Sequence, residues 1–364
     1  MVLSPFREHD LSMPDTHNPA AAATASLLPH GGDLAQVAGR PGAFTGGWLD
    51  LSTGINPWPY PAGQVPAAVW ARLPGRALDE RLRAAASAYY GAPGPDCVVP
   101  APGSQALIQW LPRLRPPGAV AVLGPTYGEH AAAWAAAGHR VVELATLPED
   151  LVEWDVVVVT NPNNPDGARQ PPDRLLALAE ALAAQGGWLV VDEAFADVAP
   201  ELSLAAAASR PGLVLLRSFG KFFGLAGLRL GFALAAPAFA ARLAAALGPW
   251  AVSGPAAWIA GDAFADATWI TATRARLAAA AAKFDQLLAA AGLDILGSTS
   301  LYRLAATPEA GALAATLRRH GIHVRDFPAR PHWLRFGLPP DEAGFARLRR
   351  ALANHNATPP EASR

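Results

Sequence analysis

The sequence predicts an α/β fold: a large domain with a mostly parallel sheet flanked by helices, followed by a smaller α+β C-terminal domain. Short apolar runs recur along the middle of the chain, helical Ala- and Leu-rich segments separate several of them, and the pattern changes near residue 246. A chain of 364 residues is long enough for two domains. We predict an N-terminal arm over residues 1–45, a large domain over 46–245 and a small domain over 246–364.

Six apolar runs predict buried strands, because they are continuous rather than alternating in polarity, as in strands covered on both faces. Helices are predicted in EHAAAWAAAG and DRLLALAEALAAQGG, and each segment ends at glycine. Only eight residues separate the last two runs, too few for a crossover helix, so we expect one strand there to run antiparallel or to lie outside the regular winding. The runs are AVAVLG (119–124), RVVEL (140–144), DVVVVT (155–160), WLVVDEAF (188–195), LVLLRSF (213–219) and LRLGFALA (228–235).

The C-terminal part predicts helices over 264–291, 309–320 and 341–353, with LYRLAA, IHVRDF and HWLRFGL among them. The uncharged window 243–261 is rich in Ala and holds two prolines, which indicates two packed helical pieces with a break rather than a membrane span. Residues 1 to 28 and the final ATPPEASR are expected to be a flexible arm and a frayed tail.

Charge and cysteine content exclude several classes of protein. The net charge is −1, the pI is near 6.8 and no block of five or more basic residues occurs, which argues against nucleic acid as the main partner. The single cysteine, Cys97, excludes an internal disulfide and suits a reducing compartment. The N-terminus carries charges and prolines where a signal peptide needs an apolar core. We therefore expect a cytoplasmic protein with neither a nucleic-acid nor a membrane partner.

The segment LLRSFGKFFGLAGLRLGF holds one of only two lysines, against 27 arginines. Lys221 directly follows a predicted strand and is flanked by Gly220 and Gly224, whereas Lys283 is expected on an exposed helix face. Unlike arginine, lysine can lose its proton and act as a nucleophile, and burial lowers its pKa toward that use. Most lysines are solvated surface cations, but this position favours an amine that reacts.

Three further features follow strands or open a helix. Asp192 ends the run WLVV, TNPNNPDG follows another strand, and APGSQALIQWL opens a helix with a Gly-Ser pair that suits a phosphate. Each feature alone has an ordinary structural explanation as a cap or a turn. No cluster with metal-ligand spacing accompanies Asp192, so no metal is expected.

In their order and spacing these four features resemble the fold type I enzymes that depend on pyridoxal 5'-phosphate (PLP), the aminotransferase class I and II superfamily, from about residue 30 to 353. The resemblance implies PLP as the cofactor, with Lys221 attaching it and transferring protons. The resemblance implies that the cofactor phosphate is bound by the backbone N–H groups of Ser104 and Gln105 together with Ser218 and Arg229. It also implies that Asp192 contacts the pyridine nitrogen, Asn164 the ring hydroxyl and Tyr127 the ring face.

For the substrate, the resemblance implies that Arg335, in HWLRFGL, binds the α-carboxylate. His30, Gly31 and Asn56 are expected near a substrate phosphate. Arg325, in VRDF, is expected either to bind substrate or to form a surface salt bridge.

Two branches of this superfamily are most similar: histidinol-phosphate aminotransferases and the L-threonine-O-3-phosphate decarboxylases of cobalamin biosynthesis. The segments HGGDLAQVAGR and WLDLSTGINPWPYP, with RLPG (72–75) and DEAF (192–195), favour the decarboxylase branch. We therefore expect a PLP-dependent lyase that converts L-threonine O-3-phosphate to (R)-1-aminopropan-2-ol O-phosphate, with a histidinol-phosphate-type aminotransferase as the alternative. The two reactions differ in which bond of the substrate α-carbon lies perpendicular to the plane of the conjugated imine, and that orientation would decide between them. The resemblance also implies a homodimer with active sites between subunits, and leaves open a cobalamin-pathway synthase as a partner.

The sequence departs from the superfamily pattern at several positions. Phe195 and Leu73 stand where the aminotransferase branch usually has Tyr, Gly220 replaces a second hydroxyl near the phosphate, and NPDG replaces the commoner NPTG.

Other classes of protein fit the sequence less well. A PLP-binding regulator would need an N-terminal DNA-binding domain, a scaffold subunit without turnover would be expected to lack Lys221 or Asp192, and an NAD-binding enzyme would need G-x-G-x-x-G after its first strand.

Overall fold

The computed structural model describes residues 30–38, 44 and 46–357, and every structural statement concerns these residues. The predicted flexible arm over 1–28 and residues 358–364 of the predicted tail lie outside the described part of the chain.

The strands form two sheets, one large and one small. Their bounds are β1 Leu49–Leu51, β2 Val98–Ala101, β3 Ala119–Leu123, β4 Arg140–Leu144, β5 Val156–Thr160, β6 Trp188–Asp192, β7 Leu213–Ser218, β8 Gly231–Ala235, β9 Asp294–Thr299, β10 Tyr302–Ala306, β11 Ile322–Asp326 and β12 Trp333–Gly337.

Helices cover the large sheet and pack on the small one. Their bounds are α1 Ala35–Ala38, α2 Ala67–Ala71, α3 Arg76–Tyr90, α4 Ser104–Trp110, α5 Glu129–Ala136, α6 Pro172–Ala184, α7 Phe219–Phe222, α8 Pro237–Leu247, α9 Gly254–Ala265, α10 Ala267–Ala290, α11 Ala310–Arg319 and α12 Glu342–Ala357. Short 3-10 turns are Pro95–Cys97, Leu111–Leu114, Ala196–Val198, Pro200–Leu202, Ala205–Ala207 and Ala226–Leu228.

The large sheet has seven strands in the order β2-β8-β7-β6-β5-β3-β4. The pairs β3–β4, β3–β5, β5–β6 and β6–β7 are parallel, which confirms the predicted mostly parallel α/β sheet. Strand β8 is antiparallel to both β7 and β2. The expectation of an antiparallel strand at this point is therefore confirmed, because the short connection from β7 reverses the chain.

The small sheet has five strands in the order β1-β11-β12-β10-β9. Strand β1 pairs parallel with β11, and the other neighbours are antiparallel. The sequence analysis did not predict β1, β2 or β9. The pairing of β1 brings residues that follow the N-terminal segment beside the C-terminal part of the chain. The domain boundaries given above remain predictions.

Successive residues of the central strands pack into different apolar clusters. Val157 and Leu215 belong to one cluster, whereas Val158, Val190 and Val214 belong to the other, and all five are almost fully buried. Because side chains alternate between the two faces of a strand, both faces of the sheet are covered. This double coverage explains why the strands appear in the sequence as continuous apolar runs.

The predicted helix over 264–291 is in fact two helices, α9 and α10, with a break at Asp266. The side chain of Asp266 accepts a hydrogen bond of 2.9 Å from the backbone N–H of Trp269, which caps the new helix. The window 243–261 contains the end of α8 and most of α9, so the predicted break there is confirmed. Within the described ranges, none of the helices is both long and apolar enough to cross a bilayer.

Candidate active site

The carboxyl ends of the large sheet's parallel strands form one wall of a cavity of about 420 Å³. Thr160 of β5 lies opposite Asp192 of β6, and β7 ends next to them at Ser218. Carboxyl ends of parallel strands share one edge, where ligands bind in this class of fold. Twelve of the thirteen predicted site residues line the cavity: His30, Gly31, Ser104, Gln105, Tyr127, Asn164, Asp192, Ser218, Lys221, Arg229, Arg325 and Arg335.

Lys221 lies in α7, immediately beyond the end of β7, and lines the cavity. Its amine makes no hydrogen bond or ion pair with the residues that the structure describes, and its nitrogen lies 5.6 Å from the centre of the Phe195 ring. Burial lowers the pKa of Lys221 to about 8, helped by the positive charge of Arg335. Asp192 opposes this shift without reversing it. A usable fraction of neutral, nucleophilic amine therefore exists near neutral pH.

Asn56 is the predicted site residue that does not line the cavity. It is buried, and its amide nitrogen donates to the carbonyl oxygen of Phe222 at 2.8 Å while its amide oxygen accepts from the N–H of Trp58 at 2.9 Å. Its backbone N–H also donates to the carbonyl of Lys221 at 2.9 Å. The expectation that Asn56 contacts a substrate phosphate has no support here, because its polar groups instead hold the α7 turn in place.

The carboxylate of Asp192 is buried and fixed from two sides. One oxygen accepts from the N–H of Ala194 at 3.0 Å, and the other lies 2.9 Å from Nε2 of the buried His130. The sequence analysis missed His130. Its position in TYGEH, just inside a helix that starts beside Tyr127, was the available signal. With both oxygens held, the carboxylate presents a fixed negative charge to the cavity.

The backbone N–H groups at the start of α4 lie beside the guanidinium of Arg229. Gly103 has φ +86°, and a Cβ there would lie 2.8 Å from Nη2 of Arg229. A Cβ on Gly231 would lie 2.3 Å from the backbone nitrogen of Ser104. Arg229 itself has the uncommon φ of 51° for a residue other than glycine. The first N–H groups of a helix lack partners within the helix, so this arrangement suits an anion.

Arg335 is buried beside Asn164. One guanidinium nitrogen donates to the carbonyl oxygen of Ser52 at 2.7 Å, and another donates to the amide oxygen of Asn164. Burial lowers the pKa of Arg335 to about 10, and its Nε has no hydrogen-bond partner among the described residues. A buried cation with an unpaired donor suits a carboxylate ligand.

Arg325 and Tyr127 line the same cavity. Burial lowers the pKa of Arg325, and its guanidinium lies 5.4 Å from the centre of the Phe327 ring. Its predicted role in binding substrate remains a prediction. The Tyr127 hydroxyl donates to the side-chain oxygen of Gln105 at 3.1 Å. Burial, with the nearby Glu129, raises the pKa of Tyr127 to about 12, so this phenol stays neutral.

The departures from the superfamily pattern have structural counterparts. A Cβ on Gly220 would lie 2.7 Å from Cα of Ala226, so a second hydroxyl there requires the backbone to shift. Phe195 is buried, with its ring centre 5.0 Å from that of Tyr302. Leu73, in contrast, is 66% exposed and lies away from the cavity lining.

Comparisons with known proteins agree with this geometry. The family model for aminotransferase class I and II matches residues 68–352. A threonine-phosphate decarboxylase from Pseudomonas aeruginosa is 48% identical over 90% of this chain and 97% of its own length, and one from Sinorhizobium sp is 47% identical over 90% and 98%. A histidinol-phosphate aminotransferase from Mycobacterium bovis is 35% identical, but over 63% of this chain and 65% of its own length.

Two solved structures share the fold. The histidinol-phosphate aminotransferase of Sinorhizobium meliloti, in complex with pyridoxal-5'-phosphate, has a TM-score of 0.74 at 22% identity, covering 93% of this chain and 98% of its own. The L-threonine-O-3-phosphate decarboxylase of Porphyromonas gingivalis has a TM-score of 0.73 at 19% identity, covering 85% and 99%. At these identities the likeness concerns the fold alone.

Proposed function

Because the chain belongs to the aminotransferase class I and II family, we propose that it is a PLP-dependent lyase that decarboxylates L-threonine O-3-phosphate to (R)-1-aminopropan-2-ol O-phosphate. The observation that carries this proposal is near-half identity to threonine-phosphate decarboxylases over nine-tenths of the chain. The cavity supports it, since a lysine of lowered pKa lies there among several arginines that suit an anionic substrate.

The residues of the cavity fit PLP. Such a cofactor requires a reactive amine, a fixed carboxylate and an anion cradle. Here an amine that has no hydrogen-bond partner among the described residues lines one cavity with the other two groups. The close approach of Gly103 to Arg229 leaves no space for a side chain where a phosphate would lie. When bound, PLP withdraws electrons from the substrate α-carbon.

On the cofactor side, Lys221 would form the covalent attachment, and Asp192 would keep a proton on the pyridine nitrogen. The backbone N–H groups that open α4 would hold the phosphate together with Ser218 and Arg229. Tyr127 would contact the ring, and Asn164, whose amide oxygen accepts from Arg335, would have its NH2 group available for the ring hydroxyl.

On the substrate side, Arg335 binds the α-carboxylate, while His30, Gly31 and Arg325 bind the substrate phosphate. Loss of CO2 leaves an α-carbon that must gain a proton. Lys221 supplies it, because an amine of pKa about 8 can both release and accept a proton near neutral pH. The direction in which Arg335 holds the carboxylate determines which bond breaks, and Asn164 and Ser52 fix that direction.

A product assay tests the proposal. Purified holoenzyme is given O-phospho-L-threonine in one reaction, and histidinol phosphate with 2-oxoglutarate in a parallel one. We expect CO2 and aminopropanol phosphate in the first reaction, without any need for an oxo acid. Glutamate formed in the second reaction alone would make the protein an aminotransferase and refute the proposal.

We also propose that the chain acts as a homodimer in the cytoplasm, within cobalamin biosynthesis, where an amide-forming synthase is a further candidate partner. Trp70, Leu73 and Trp250 are each at least 60% exposed, and Trp250 lines a small cavity with Pro74, next in the chain to Leu73. Exposed apolar patches of this kind are typical of subunit contacts. Light scattering on wild type and Trp250→Glu tests this: we expect a dimer that the substitution weakens, and a monomeric wild type would refute it.

A further inference from the structure

Glu129, the first residue of α5, lies behind the cavity wall and connects two residues that line it. One carboxylate oxygen accepts from Nε2 of His30 at 3.0 Å, and the other accepts from the side-chain nitrogen of Gln105 at 2.7 Å. Glu129 is not itself part of the cavity lining. Its effect on a ligand must therefore pass through the residues that it holds.

The carboxylate of Glu129 is held more firmly than the ring of His30. Gln105, which fixes one oxygen, is itself fixed by Tyr127, and Gln109 lies 3.4 Å from the same oxygen. The side chain of Glu129 is 15% exposed, whereas that of His30 is 47% exposed. The charge of a carboxylate in such a partly sheltered position is screened less than that of a carboxylate on the surface.

The backbone next to His30 is fixed independently of Glu129. The N–H of Gly32 donates to the hydroxyl of Ser52 at 2.7 Å, and a Cβ on Gly31 would lie 2.4 Å from the carbonyl oxygen of Ser52. The imidazole itself has Glu129 as its hydrogen-bond partner in the described structure, and the Tyr127 ring 5.8 Å away. Ser52 therefore sets where the segment lies, and Glu129 sets where the ring points.

We propose that Glu129 is a positioning residue for substrate binding, holding the His30 imidazole over the cavity where the phosphate group of the substrate binds. This inference rests on the function proposed above. A carboxylate would repel a phosphate if it faced the ligand directly, so its place is behind a cationic or donating group. A glutamine at 129 would lose the charge and keep only one of the two acceptor oxygens that now accept from His30 and Gln105, so it would hold the His30 ring more weakly.

The first test compares Glu129→Gln with a matched control. Glu342→Gln removes the same charge from the first residue of another helix, α12, where Glu342 pairs with Lys283 and neither residue lines the cavity. Both variants lose a favourable charge at a helix start, but Glu129 is 15% exposed and Glu342 is 83% exposed, so the melting temperature of Glu129→Gln should fall somewhat more than that of the control. In Glu129→Gln we expect KM for O-phospho-L-threonine to rise about tenfold with kcat within about twofold, since a charged hydrogen bond on the binding side is lost. The control should leave both constants unchanged.

A double-mutant cycle then tests whether the effect passes through His30. In the His30→Ala background, Glu129→Gln should change KM by less than about twofold, because residues that act through one another are not additive. Full additivity, a loss confined to kcat, or a KM equal to that of the Glu342→Gln control would each overturn the inference.

If the wild-type protein releases no CO2 from phosphothreonine, it is the proposed function that fails. The inference is then decided without turnover, from the dissociation constant of inorganic phosphate for each holoenzyme, followed by phosphorus NMR. Weaker binding in Glu129→Gln than in Glu342→Gln would support it, and equal binding would overturn it.

Discussion

At the carboxyl ends of β6 and β7, the two faces of the large sheet carry charged residues in contrasting arrangements. On the cavity face, the amine of Lys221 has no ion-pair partner among the described residues. On the opposite face, Arg217 donates to Glu193 at 2.6 Å and to Asp197 at 2.6 Å, and all three are almost fully buried.

These faces are separated by a single position in the chain. Asp192 and Ser218 line the cavity, while their immediate neighbours Glu193 and Arg217 form the buried pair. Although burial lowers the pKa of Arg217, the carboxylates of Asp197 and Glu193 raise it overall. The comparison teaches that one face satisfies its charges internally for stability, whereas the other leaves charges for a ligand to satisfy. The predictions below test this contrast, beginning with the largest expected effect.

Replacing Lys221 should abolish activity with little effect on folding. Lys221→Ala removes the nucleophile and the proton donor together, so we expect the decarboxylation rate to fall by about ten-thousandfold or more, and the absorbance band of covalently bound PLP to disappear. Absorbance spectra, a CO2 assay and thermal unfolding measure these three properties. Lys283→Ala is the matched control. A Lys221→Ala protein that keeps the band would contradict the assignment.

Replacing Arg217, in contrast to replacing Lys221, should mainly lower the stability of the fold. Arg217→Met leaves Glu193 and Asp197 buried without their cation, which costs about 3–5 kcal/mol of the free energy of unfolding. Urea unfolding measures this loss. The control is Arg76→Met, which breaks a solvent-exposed pair with Glu80 and should leave the free energy of unfolding nearly unchanged. If Arg217→Met is as stable as its control, the buried charges on the face of the large sheet opposite the cavity do not stabilise the fold.

Replacing Asp192 should lower kcat with a smaller effect on unfolding. Asp192→Asn keeps the shape of the side chain but removes the charge that retains a proton on the pyridine nitrogen, so we expect kcat to fall by about 10²- to 10³-fold. Asp173→Asn, on the exposed start of α6, is the control. Steady-state kinetics with excess PLP separate this effect from weaker cofactor binding, and an unchanged kcat would remove Asp192 from the mechanism.

The smallest predicted effect is a shift in pH dependence. Because burial and Arg335 lower the pKa of Lys221 to about 8, its neutral form appears at lower pH than that of an ordinary lysine. The rate at which the apoprotein incorporates PLP should therefore rise with pH and level off above about pH 8. Arg335→Met removes a nearby positive charge and should move this midpoint upward. A wild-type midpoint near 10.5, the ordinary value for lysine, would show that the amine is not sheltered.

Much of the large domain could be predicted from the sequence, because its strands are covered on both faces and appear as continuous apolar runs. The short strands β1 and β2 could not, since each pairs with a strand from a distant part of the chain, β11 for β1 and β8 for β2. In the same way, Asp266 breaks a helix that composition alone makes continuous, because its side chain caps the helix that follows.

The candidate site could be predicted where strand-end motifs supply its residues, as at Lys221 and Asp192. It was missed where the residue acts from behind the cavity, because the contacts of His130 with Asp192 and of Glu129 with His30 join distant parts of the chain. Asn56 shows the opposite case. A polar residue in a suggestive motif holds the backbone around Lys221 instead of lining the cavity.

The central claim, that the unpaired amine on the cavity face carries the cofactor, is tested most directly by reducing the holoenzyme with borohydride and analysing its peptides by mass spectrometry. The chain has only two lysines, so the outcome is unambiguous. We predict the mass of the reduced cofactor on the peptide that contains Lys221 and none on the peptide that contains Lys283. An unmodified Lys221 in a preparation that releases CO2 from phosphothreonine would contradict the account.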